Sequence, residues 1–312
     1  FLLKRPYWGV GILFTGAAKI SKDSFMRENH IFIFGLGYVG QHLAHALSAR
    51  GWQVTGTTRS PEKLAGLVPE AWHILKFEDG IPVPDLASHL QACSHLISTV
   101  SALLGHGPVL TCHEQDIARF TGWTGYVSAT SVYPDQEDGF VDERTPADPA
   151  TKRGKDRLAA EKQWQQISAA EIFRIAGIYG PHRNALVAFR EGRAQIIENT
   201  GQLSNRIHQS DITKIILAAL DQPRPSRILN LCDDEPAPQG DVVRFAAELL
   251  DVVPPEPIPL ERANLTPMAR SFYVSRRRLR SCLIGPELGV RLDYPTYREG
   301  LRALYYQMQS QY

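Results

Sequence analysis

The stretch HIFIFGLGYVGQHLAHALSARG, residues 30–51, joins an apolar run to a glycine-rich turn and then to a helical pattern. Its first part, residues 31–34, reads as a strand buried on both faces, as strands of parallel sheets are. Val39, Leu43 and Leu47 then recur at the spacing of one helix face. The stretch therefore predicts a strand, a tight turn and a helix, which together open a βαβ unit.

The turn between this strand and helix has the pattern GxGxxG over residues 35–40. In this context the first glycine permits the tight turn, the second lets the backbone approach a pyrophosphate, and the third lets helix and strand pack closely. The helix N-terminus adds N–H groups and a positive dipole end for the phosphates. A glycine-rich turn without a ligand is the alternative. The turn predicts a dinucleotide site whose contacting residues are Gly35, Gly37, Tyr38, Val39 and Gly40.

The end of the second strand, residues 52–57, indicates which dinucleotide is bound. NAD-binding proteins usually have Asp or Glu there to accept hydrogen bonds from the ribose hydroxyls. This chain has TTRS at residues 57–60 instead. Because a guanidinium and hydroxyls suit a 2′-phosphate, we predict NADP(H) in preference to NAD(H), bound through Thr58 and Arg59. Glu78, after the third strand, is placed to accept the adenine amine; alternatively, Arg59 is an exposed loop residue and Glu78 caps a loop.

Short apolar runs alternate with helical stretches after residue 30, which is typical of βαβ units around a parallel sheet. The predicted fold class is α/β, a Rossmann-type doubly wound parallel sheet of about seven strands with a smaller C-terminal substrate lobe. Beyond the first two, the predicted strands cover residues 72–77, 95–100, 125–128, 171–175 and 227–231. The predicted helices that connect them cover residues 61–67, 112–120, 158–167 and 212–220.

The domain organisation follows from where this alternation holds. We predict that residues 26–180 form the NADP-binding domain, completed by segments around 207–235. After Gly180 the alternation becomes irregular. Residues 181–206 and 236–312 are therefore assigned to the smaller lobe, which ends in an amphipathic helix.

Residues 1–25 contain basic residues followed by a short apolar run and small residues, which is the outline of a secretory signal. We favour an upstream segment outside the fold, because a dinucleotide fold uses a cytosolic cofactor and Met26 precedes the first strand. A cleaved targeting peptide is the alternative. No later apolar run approaches the roughly 20 residues that span a bilayer.

The charge balance of the chain is nearly neutral, with 34 Lys and Arg against 33 Asp and Glu and a formal net charge of +1. Nucleic acids and membrane surfaces bind strong fields of one sign, so we expect neither as a partner. The four cysteines form no CxxC pair and no zinc-like spacing, which predicts a reducing, cytoplasmic location and no metal site. The assembly stays open, with a homodimer as one alternative.

Three further segments carry a resemblance to a known family. They are YVSATSVY at residues 126–133, RIAGIYGP at 174–181 and NRIHQSD at 205–211. Together with the glycine turn, they resemble the extended short-chain dehydrogenase/reductase superfamily, the relatives of nucleotide-sugar epimerases and dehydratases. The likeness covers nearly everything after Met26, and its segments are too common in the superfamily to name a substrate.

The resemblance implies a catalytic Tyr, a Lys four residues later, and a Ser or Thr beside them, which together exchange a proton with the substrate oxygen. In this chain Arg153 stands at the Tyr position, Arg157 at the Lys position and Ala129 at the Ser position. An arginine cannot shuttle protons, because its pKa stays above about 12. The chain is therefore similar to the atypical branch of the superfamily, which keeps the cofactor turn but lacks the catalytic set.

Other groups near these positions could exchange the proton. Tyr133 is favoured, because it ends a strand at the carboxyl edge of the sheet, where sites of this fold form. Its alternative role is to pack the loop after the strand. Thr130 and Ser128 could orient a substrate oxygen, and Glu143 and His208 are further candidates for the proton.

Basic residues from segments that border the cleft in the resembling fold predict an anionic ligand, because guanidinium forks match carboxylates and phosphates. For each residue the alternative is a solvated surface charge, and His208 could instead organise a loop in which Ser210 or Asp211 caps the next helix. A run of arginines at residues 276–280 is interpreted as a solvated helix face, with phosphate binding as the alternative. The predicted substrate-binding residues are Arg153, Arg157, Arg183, Arg206 and His208.

Two functions from different classes follow from these features. The first is an NADP-dependent oxidoreductase or epimerase/dehydratase-like enzyme with a rebuilt proton-transfer site, acting on a small anionic substrate. The second is a catalytically silent NADP(H)-binding protein that reports redox state through its smaller lobe. The intact turn supports both functions, whereas the altered catalytic positions favour the second.

Overall fold

The computed structural model describes residues 29–102, 107–136, 139–198, 201–266, 270, 273 and 276–310. Its centre is a seven-stranded parallel sheet, which confirms the predicted Rossmann-type fold class. In chain order these strands are β1 (His30–Phe34), β2 (Gln53–Thr58), β3 (His73–Lys76), β4 (His95–Ser98), β5 (Trp123–Ala129), β6 (Glu171–Ile175) and, after three short strands elsewhere, β10 (Ile228–Leu231). The other short strands are β7 (Gly177–Tyr179), β8 (Ile196–Ile197), β9 (Arg206–His208) and β11 (Pro257–Ile258).

The order of strands across the sheet is β10-β6-β5-β4-β1-β2-β3. Strand β1 lies between β2 and β4, so that Ile31 pairs with Val54 on one side and with His95 on the other. After β3 the chain returns past β1 to form β4, and the direction of winding reverses there. In such sheets ligands bind in the crevice outside the carboxyl ends of the strands at this switch point.

Helices cover both faces of the sheet. The face with Ile31 and Ile33 packs against α1 (Tyr38–Ala49) and α6 (Gln209–Asp221). The face with Phe32 and Phe34 packs against α2 (Leu86–Gln91), α3 (Pro108–Ala118) and α4 (Lys152–Ser168). Because successive side chains of a strand point to opposite faces, β1 needs an apolar residue at every position, and this explains the unbroken apolar run in the sequence.

A third apolar cluster lies beside the sheet and includes Leu186, Phe245 and Tyr297. Its helices are α5 (Ala185–Arg190), α7 (Gln239–Leu250) and, after the short α8 (Ile284–Leu288), α9 (Tyr297–Gln309). Two pairs of short parallel strands, β7 with β9 and β8 with β11, adjoin this cluster. The division into a nucleotide domain and a lobe stays a prediction, and the predicted N-terminal extension, residues 1–25, lies outside the described residues.

Two predicted helices differ from the structure. The predicted helix at 158–167 is longer, because α4 begins at Lys152 where the Thr151 side chain accepts a hydrogen bond from the Gly154 amide. The predicted helix at 61–67 is wrong, since only a single 3-10 turn forms there and Gly66 adopts a φ of +73° that ends helical winding. Among the described residues, no helix combines the length and apolarity needed to cross a membrane.

The arginine run at 276–280 is also not a helix face. Arg276 pairs with Leu203 and Leu279 pairs with Val141 in isolated β-bridges, so this segment is extended. Arg277 and Leu279 of this segment line the cleft described below, and Arg277 forms an ion pair of 3.0 Å with Asp135.

Candidate cofactor and substrate site

A cleft of about 710 Å³ opens at the carboxyl ends of the sheet strands, and residues from the segments 202–206, 239, 265–266, 273 and 277–279 line its other side. The glycine turn, the segments that follow β4 and β5, and the first turns of α4 form its sheet side. Five arginines line it, and among its described lining residues there is no Asp or Glu. These arginines are Arg153, Arg157, Arg183, Arg206 and Arg277.

The backbone amides of the glycine turn donate hydrogen bonds to Thr57 of β2. The Gly35 amide donates to the Thr57 hydroxyl oxygen at 3.0 Å, and the Leu36 amide donates to the Thr57 carbonyl at 2.7 Å. Gly35 has a φ of +94°, which favours glycine, and a Cβ at Gly40 would lie 2.1 Å from the Gly35 carbonyl oxygen. Strand, turn and helix can therefore approach this closely only without side chains.

The start of α1 fits a phosphate group. Gly37 lines the cleft and is the N-cap of α1, with no side chain capping the helix. A Cβ at Gly37 would meet no protein atom within 4 Å, so the space above it is open. The first N–H groups of a helix have no partner within the helix, and here they face a cleft that an anion can enter. Tyr38 and Val39 also line this part of the cleft.

The residues predicted to select the adenosine end lie beyond the lining of the cleft. Thr58 ends β2, and its hydroxyl oxygen accepts a hydrogen bond from the Ser60 amide at 3.4 Å. Arg59 is exposed, and among the described residues it forms no ion pair. Glu78 lies 3.8 Å from the Lys76 ammonium group. Arg59 is therefore accessible to a phosphate, whereas Glu78 already has a cationic neighbour.

Tyr133 lies in the core and not on the cleft lining, which corrects its predicted catalytic role. A 3-10 turn at Thr130–Val132 carries it inward, where its side chain is fully buried. Its hydroxyl donates to the Asn230 side-chain oxygen at 2.9 Å, and the Arg174 guanidinium stacks 4.7 Å from its ring centre. Burial raises the pKa of Tyr133, and the nearby Arg174 guanidinium offsets only part of this rise. The alternative reading, a packing role, fits this placement.

Glu143, a further candidate for the proton, is already engaged in hydrogen bonds with backbone amides. Its carboxylate accepts hydrogen bonds from the amides of Asn230 and Cys282, at 3.0 Å and 2.9 Å. It does not line the cleft. Glu143 therefore ties the loop after β5 to β10 and to the segment that precedes α8, in place of exchanging a substrate proton.

Ser128 and Thr130 both line the cleft, as predicted for groups that orient an oxygen. The Ser128 hydroxyl donates to the Glu161 carboxylate at 2.5 Å, and both residues are 2% exposed. Because a carboxylate only accepts, Ser128 directs its proton away from the cleft and keeps lone pairs for a ligand. Ser128 can thus accept a hydrogen bond from a ligand but is poorly placed to protonate one.

The predicted substrate-binding residues divide into two groups. Arg153, Arg157, Arg183 and Arg206 line the cleft. His208 does not, and it acts as the N-cap of α6, with its side chain accepting from the Ser210 amide. The prediction that Ser210 or Asp211 caps this helix is wrong, because the Asp211 carboxylate instead accepts from the amides of Asp293 and Tyr294 at 2.7 Å and 3.1 Å.

Several lining residues were not predicted from the sequence. Thr99 and Ser101 follow β4 at the switch point, and their position after a buried strand was a usable signal. Tyr273, Arg277 and Gln239 come from the smaller lobe, where no strand–helix alternation predicts which residues turn toward the cleft.

Comparison with solved structures shows which proteins share this fold. A conserved protein of unknown function from Silicibacter pomeroyi is 38% identical, with a TM-score of 0.81 over 89% of this chain and 99% of its own. A protein from Methylobacillus flagellatus assigned to the NAD-dependent epimerases/dehydratases is 27% identical, with a TM-score of 0.71 over 90% of this chain and 99% of its own. In fold and in sequence the chain is similar to the NAD-dependent epimerases/dehydratases of the extended short-chain dehydrogenase/reductase superfamily.

Three further proteins resemble this chain in sequence or in fold. Protein YeeZ of Escherichia coli K12 is 29% identical over 238 residues, which are 72% of this chain and 85% of YeeZ. A 3-diazoavenalumate denitrifying reductase of Streptomyces is 23% identical over 85% of this chain and 96% of its own. MoeE5, solved with UDP-glucuronic acid and NAD, shares the fold at 20% identity, with a TM-score of 0.71 over 91% of this chain and 100% of its own. No protein-family model matches the chain.

The buried His208 predicts that the fold is sensitive to acid. Burial, together with repulsion from His42, lowers the pKa of His208 from 6.5 to about 4. The folded state therefore favours the neutral imidazole, and stability present above pH 6.5 is lost as the pH falls toward 4. For a histidine that is 5% exposed, the loss at pH 5 amounts to about 2 kcal/mol.

The variant His208→Asn tests this linkage, because an Asn oxygen can still cap α6 but does not titrate. We expect the free energy of unfolding of the wild type to fall more steeply than that of the variant between pH 7 and pH 5. Urea titrations at both pH values measure the difference. Equal slopes for the two proteins would contradict the expected pKa of His208.

Proposed function

We propose that the protein is an NADP(H)-dependent oxidoreductase or epimerase/dehydratase-like enzyme that acts on a small anionic substrate with a non-standard catalytic site. One observation carries this proposal: the open start of α1 and five arginines line the same cleft, without a carboxylate among its described lining residues. A dinucleotide and an anionic substrate would then lie side by side. The Methylobacillus relative, an assigned epimerase/dehydratase, and the Streptomyces reductase support the reaction class.

The cofactor would be held by the glycine turn. Gly37 and the first amides of α1 would bind its pyrophosphate, and Gly35 and Gly40 keep the strand and helix close enough to form the turn. Bound NADP(H) supplies a hydride donor or acceptor. The residues of the chain would orient the substrate and exclude water from the cleft.

Arg59 supports NADP(H) over NAD(H). It is an exposed guanidinium directly after β2, and residues 57–60 at the end of that strand include no Asp or Glu that would repel a 2′-phosphate. The hydroxyl of Thr58 is nearby in sequence, although its oxygen already accepts from the Ser60 amide. We therefore assign most of the discrimination to Arg59.

The proposal for an anionic substrate rests on the charge of the cleft. Arg206 already donates hydrogen bonds to two backbone carbonyl oxygens and to the Gln239 side chain. Arg277 already forms an ion pair with Asp135. Arg153, Arg157 and Arg183 also line the cleft, and the Arg183 guanidinium lies 5.8 Å from the ring centre of Tyr38. A carboxylate or phosphate there would find guanidinium donors and no described carboxylate to repel it.

A catalytically silent NADP(H)-binding protein is the second candidate, and one observation favours it. Arg153 stands at the usual position of the catalytic Tyr, and the other candidates for the proton are engaged by the fold: Tyr133 is buried in the core and the Ser128 hydroxyl donates its hydrogen bond to Glu161. Such a protein would report the redox state of the cofactor through movement of the smaller lobe. A panel of carboxylated and phosphorylated carbonyl compounds separates the two functions, because only the enzyme oxidises NADPH with one of them.

The cofactor assignment predicts that NADPH binds at least about tenfold more tightly than NADH. Fluorescence titration of both nucleotides measures this preference. In Arg59→Ala the NADPH affinity should fall to near that of NADH, because the 2′-phosphate loses its cation, whereas NADH affinity should be unchanged. The control Lys63→Ala removes an exposed charge from the next turn and should keep the preference. Equal affinities in the wild type would contradict the NADP(H) assignment.

A further inference from the structure

We infer that Arg157 is a carboxylate-binding group: its guanidinium edge is built into the wall of the cleft to receive a carboxylate of the substrate. This inference deepens the proposed function, because it gives the anionic substrate a chemical class and a place. It rests on a comparison of the arginines that this fold buries.

Four arginines are buried among the described residues: Arg157, Arg174, Arg206 and Arg227, each at most 8% exposed. Burying a guanidinium is costly unless acceptors satisfy its donors. The hydrogen-bond acceptors around each buried arginine therefore indicate whether the protein satisfies its donors or leaves them for a ligand.

Two of these arginines are completed by a carboxylate of the fold. Arg174 donates to both carboxylate oxygens of Glu161, with Nε at 3.1 and 3.2 Å and Nη2 at 2.7 Å. Arg227 donates to one oxygen of Glu171, with Nε at 2.9 Å and Nη2 at 2.7 Å. In both pairs the same edge of the guanidinium, formed by Nε and Nη2, faces the carboxylate. This edge is a planar fork that matches a two-oxygen acceptor.

The third buried arginine is completed by neutral acceptors. Arg206 donates from Nη1 to the carbonyl oxygens of Ser204 and Ala237, at 2.8 and 3.1 Å. Its Nη2 donates to the Gln239 side-chain oxygen at 3.0 Å. Arg206 is thus a structural cation that holds the smaller lobe together, although it also lines the cleft.

Arg157 is the exception. Its Nη2 donates to the Ser101 hydroxyl oxygen at 3.1 Å, and its Nε is buried and has no hydrogen-bond partner among the described residues. Its side chain lines the cleft and is 6% exposed. The edge that receives Glu161 in Arg174 and Glu171 in Arg227 therefore lacks a carboxylate in Arg157, and the Arg157 side chain lines the cleft.

The surroundings of Arg157 do not supply the missing charge. Burial lowers the pKa of its guanidinium, and attraction to Tyr126 and Glu161 only partly offsets this. Glu161 is the nearest acid on the same helix face, but its carboxylate is already bound by Arg174 and Ser128. A ligand carboxylate at Arg157 would meet the Nε and Nη2 donors together with the hydroxyl of Ser101, which also lines the cleft.

The inference is tested by calorimetric binding of malonate to the protein without cofactor. Malonate carries the planar carboxylate, malonamide has the same shape without charge, and inorganic phosphate is a tetrahedral anion. We expect malonate to bind and malonamide not to bind. Arg157→Lys keeps the charge but loses the fork, and should weaken malonate binding by about tenfold or more. The control Lys162→Gln removes an exposed charge from the same helix and should bind malonate as the wild type does.

Three results would overturn the inference. The first is phosphate binding as tightly as malonate, and the second is malonate binding that Arg157→Lys leaves unchanged. The third is a loss of NADPH affinity in Arg157→Lys without a loss of malonate affinity, since Arg157 would then hold the cofactor. Failure of the wild type to bind NADPH would instead overturn the proposed function, and the malonate titration is independent of it.

Thermal unfolding distinguishes a ligand-binding role of Arg157 from a purely structural role. A buried cation without a carboxylate destabilises the fold, so Arg157→Met should unfold at the same or a higher temperature than the wild type. Malonate should raise the unfolding temperature of the wild type and not that of Arg157→Met. A marked fall in the unfolding temperature of Arg157→Met would make Arg157 a structural residue and contradict the inference.

Discussion

Replacing Arg174 by Met is expected to lower the free energy of unfolding by about 3–5 kcal/mol, because it leaves the Glu161 carboxylate buried without its cation. Both residues are at most 4% exposed, and Arg174 is the donor of three close hydrogen bonds to Glu161. The loss of the guanidinium also removes the stacking on Tyr133. Urea unfolding of the wild type and Arg174→Met measures the difference.

The double variant Arg174→Met with Glu161→Leu is the matched control. It removes both charges, and buried ion pairs replaced by apolar residues of similar size often keep or gain stability. We therefore expect the double variant to recover most of the stability that Arg174→Met loses. A loss below about 1 kcal/mol in the single variant would show that Glu161 finds another cation, and Arg157 is near enough to attract it.

Gly40→Ala is expected to abolish NADPH binding and to lower the free energy of unfolding by about 3 kcal/mol. A Cβ at Gly40 would lie 2.1 Å from the Gly35 carbonyl oxygen, so α1 must move away from the turn. The backbone around that oxygen cannot yield easily, because Gly35 is bonded to Thr57 and Thr99 packs against it. Fluorescence titration with NADPH and thermal unfolding measure the two effects.

Gly37→Ala separates binding from folding. A Cβ there meets no protein atom within 4 Å, so the variant should fold as the wild type does. It should nevertheless bind NADPH about tenfold or more weakly, because the methyl group occupies the space through which the backbone approaches the pyrophosphate. Wild-type NADPH affinity in Gly37→Ala would contradict the assignment of the turn to the cofactor.

The fold was predictable because its signals are local. The apolar run of β1, the glycines of the turn and the helical spacing of α1 lie within 22 residues, and the sheet strands that follow were located within a few residues. The strand predicted at 171–175 has the same bounds in the structure. The helix predicted at 61–67 failed because its signal was weak, and a glycine in the left-handed region interrupts it.

The catalytic candidates were less predictable, because their roles depend on partners that are distant in the chain. The strand that carries Tyr133 indicated the sheet edge correctly, but a single 3-10 turn carries the side chain into the core. Its hydrogen-bond partner, Asn230, is 97 residues away. A pattern of neighbouring residues contains no information about such a contact.

The sequence alone determined that this chain forms a parallel α/β sheet with a glycine turn at its switch point, since backbone freedom at a glycine and apolar periodicity act over a few residues. The tertiary structure alone decided which polar groups can meet a ligand. Ser128 turns its proton to Glu161, 33 residues away, and Arg157 contacts Ser101, 56 residues away. Burial and hydrogen-bond partners set the chemistry of these groups, and both arise only when distant segments pack together.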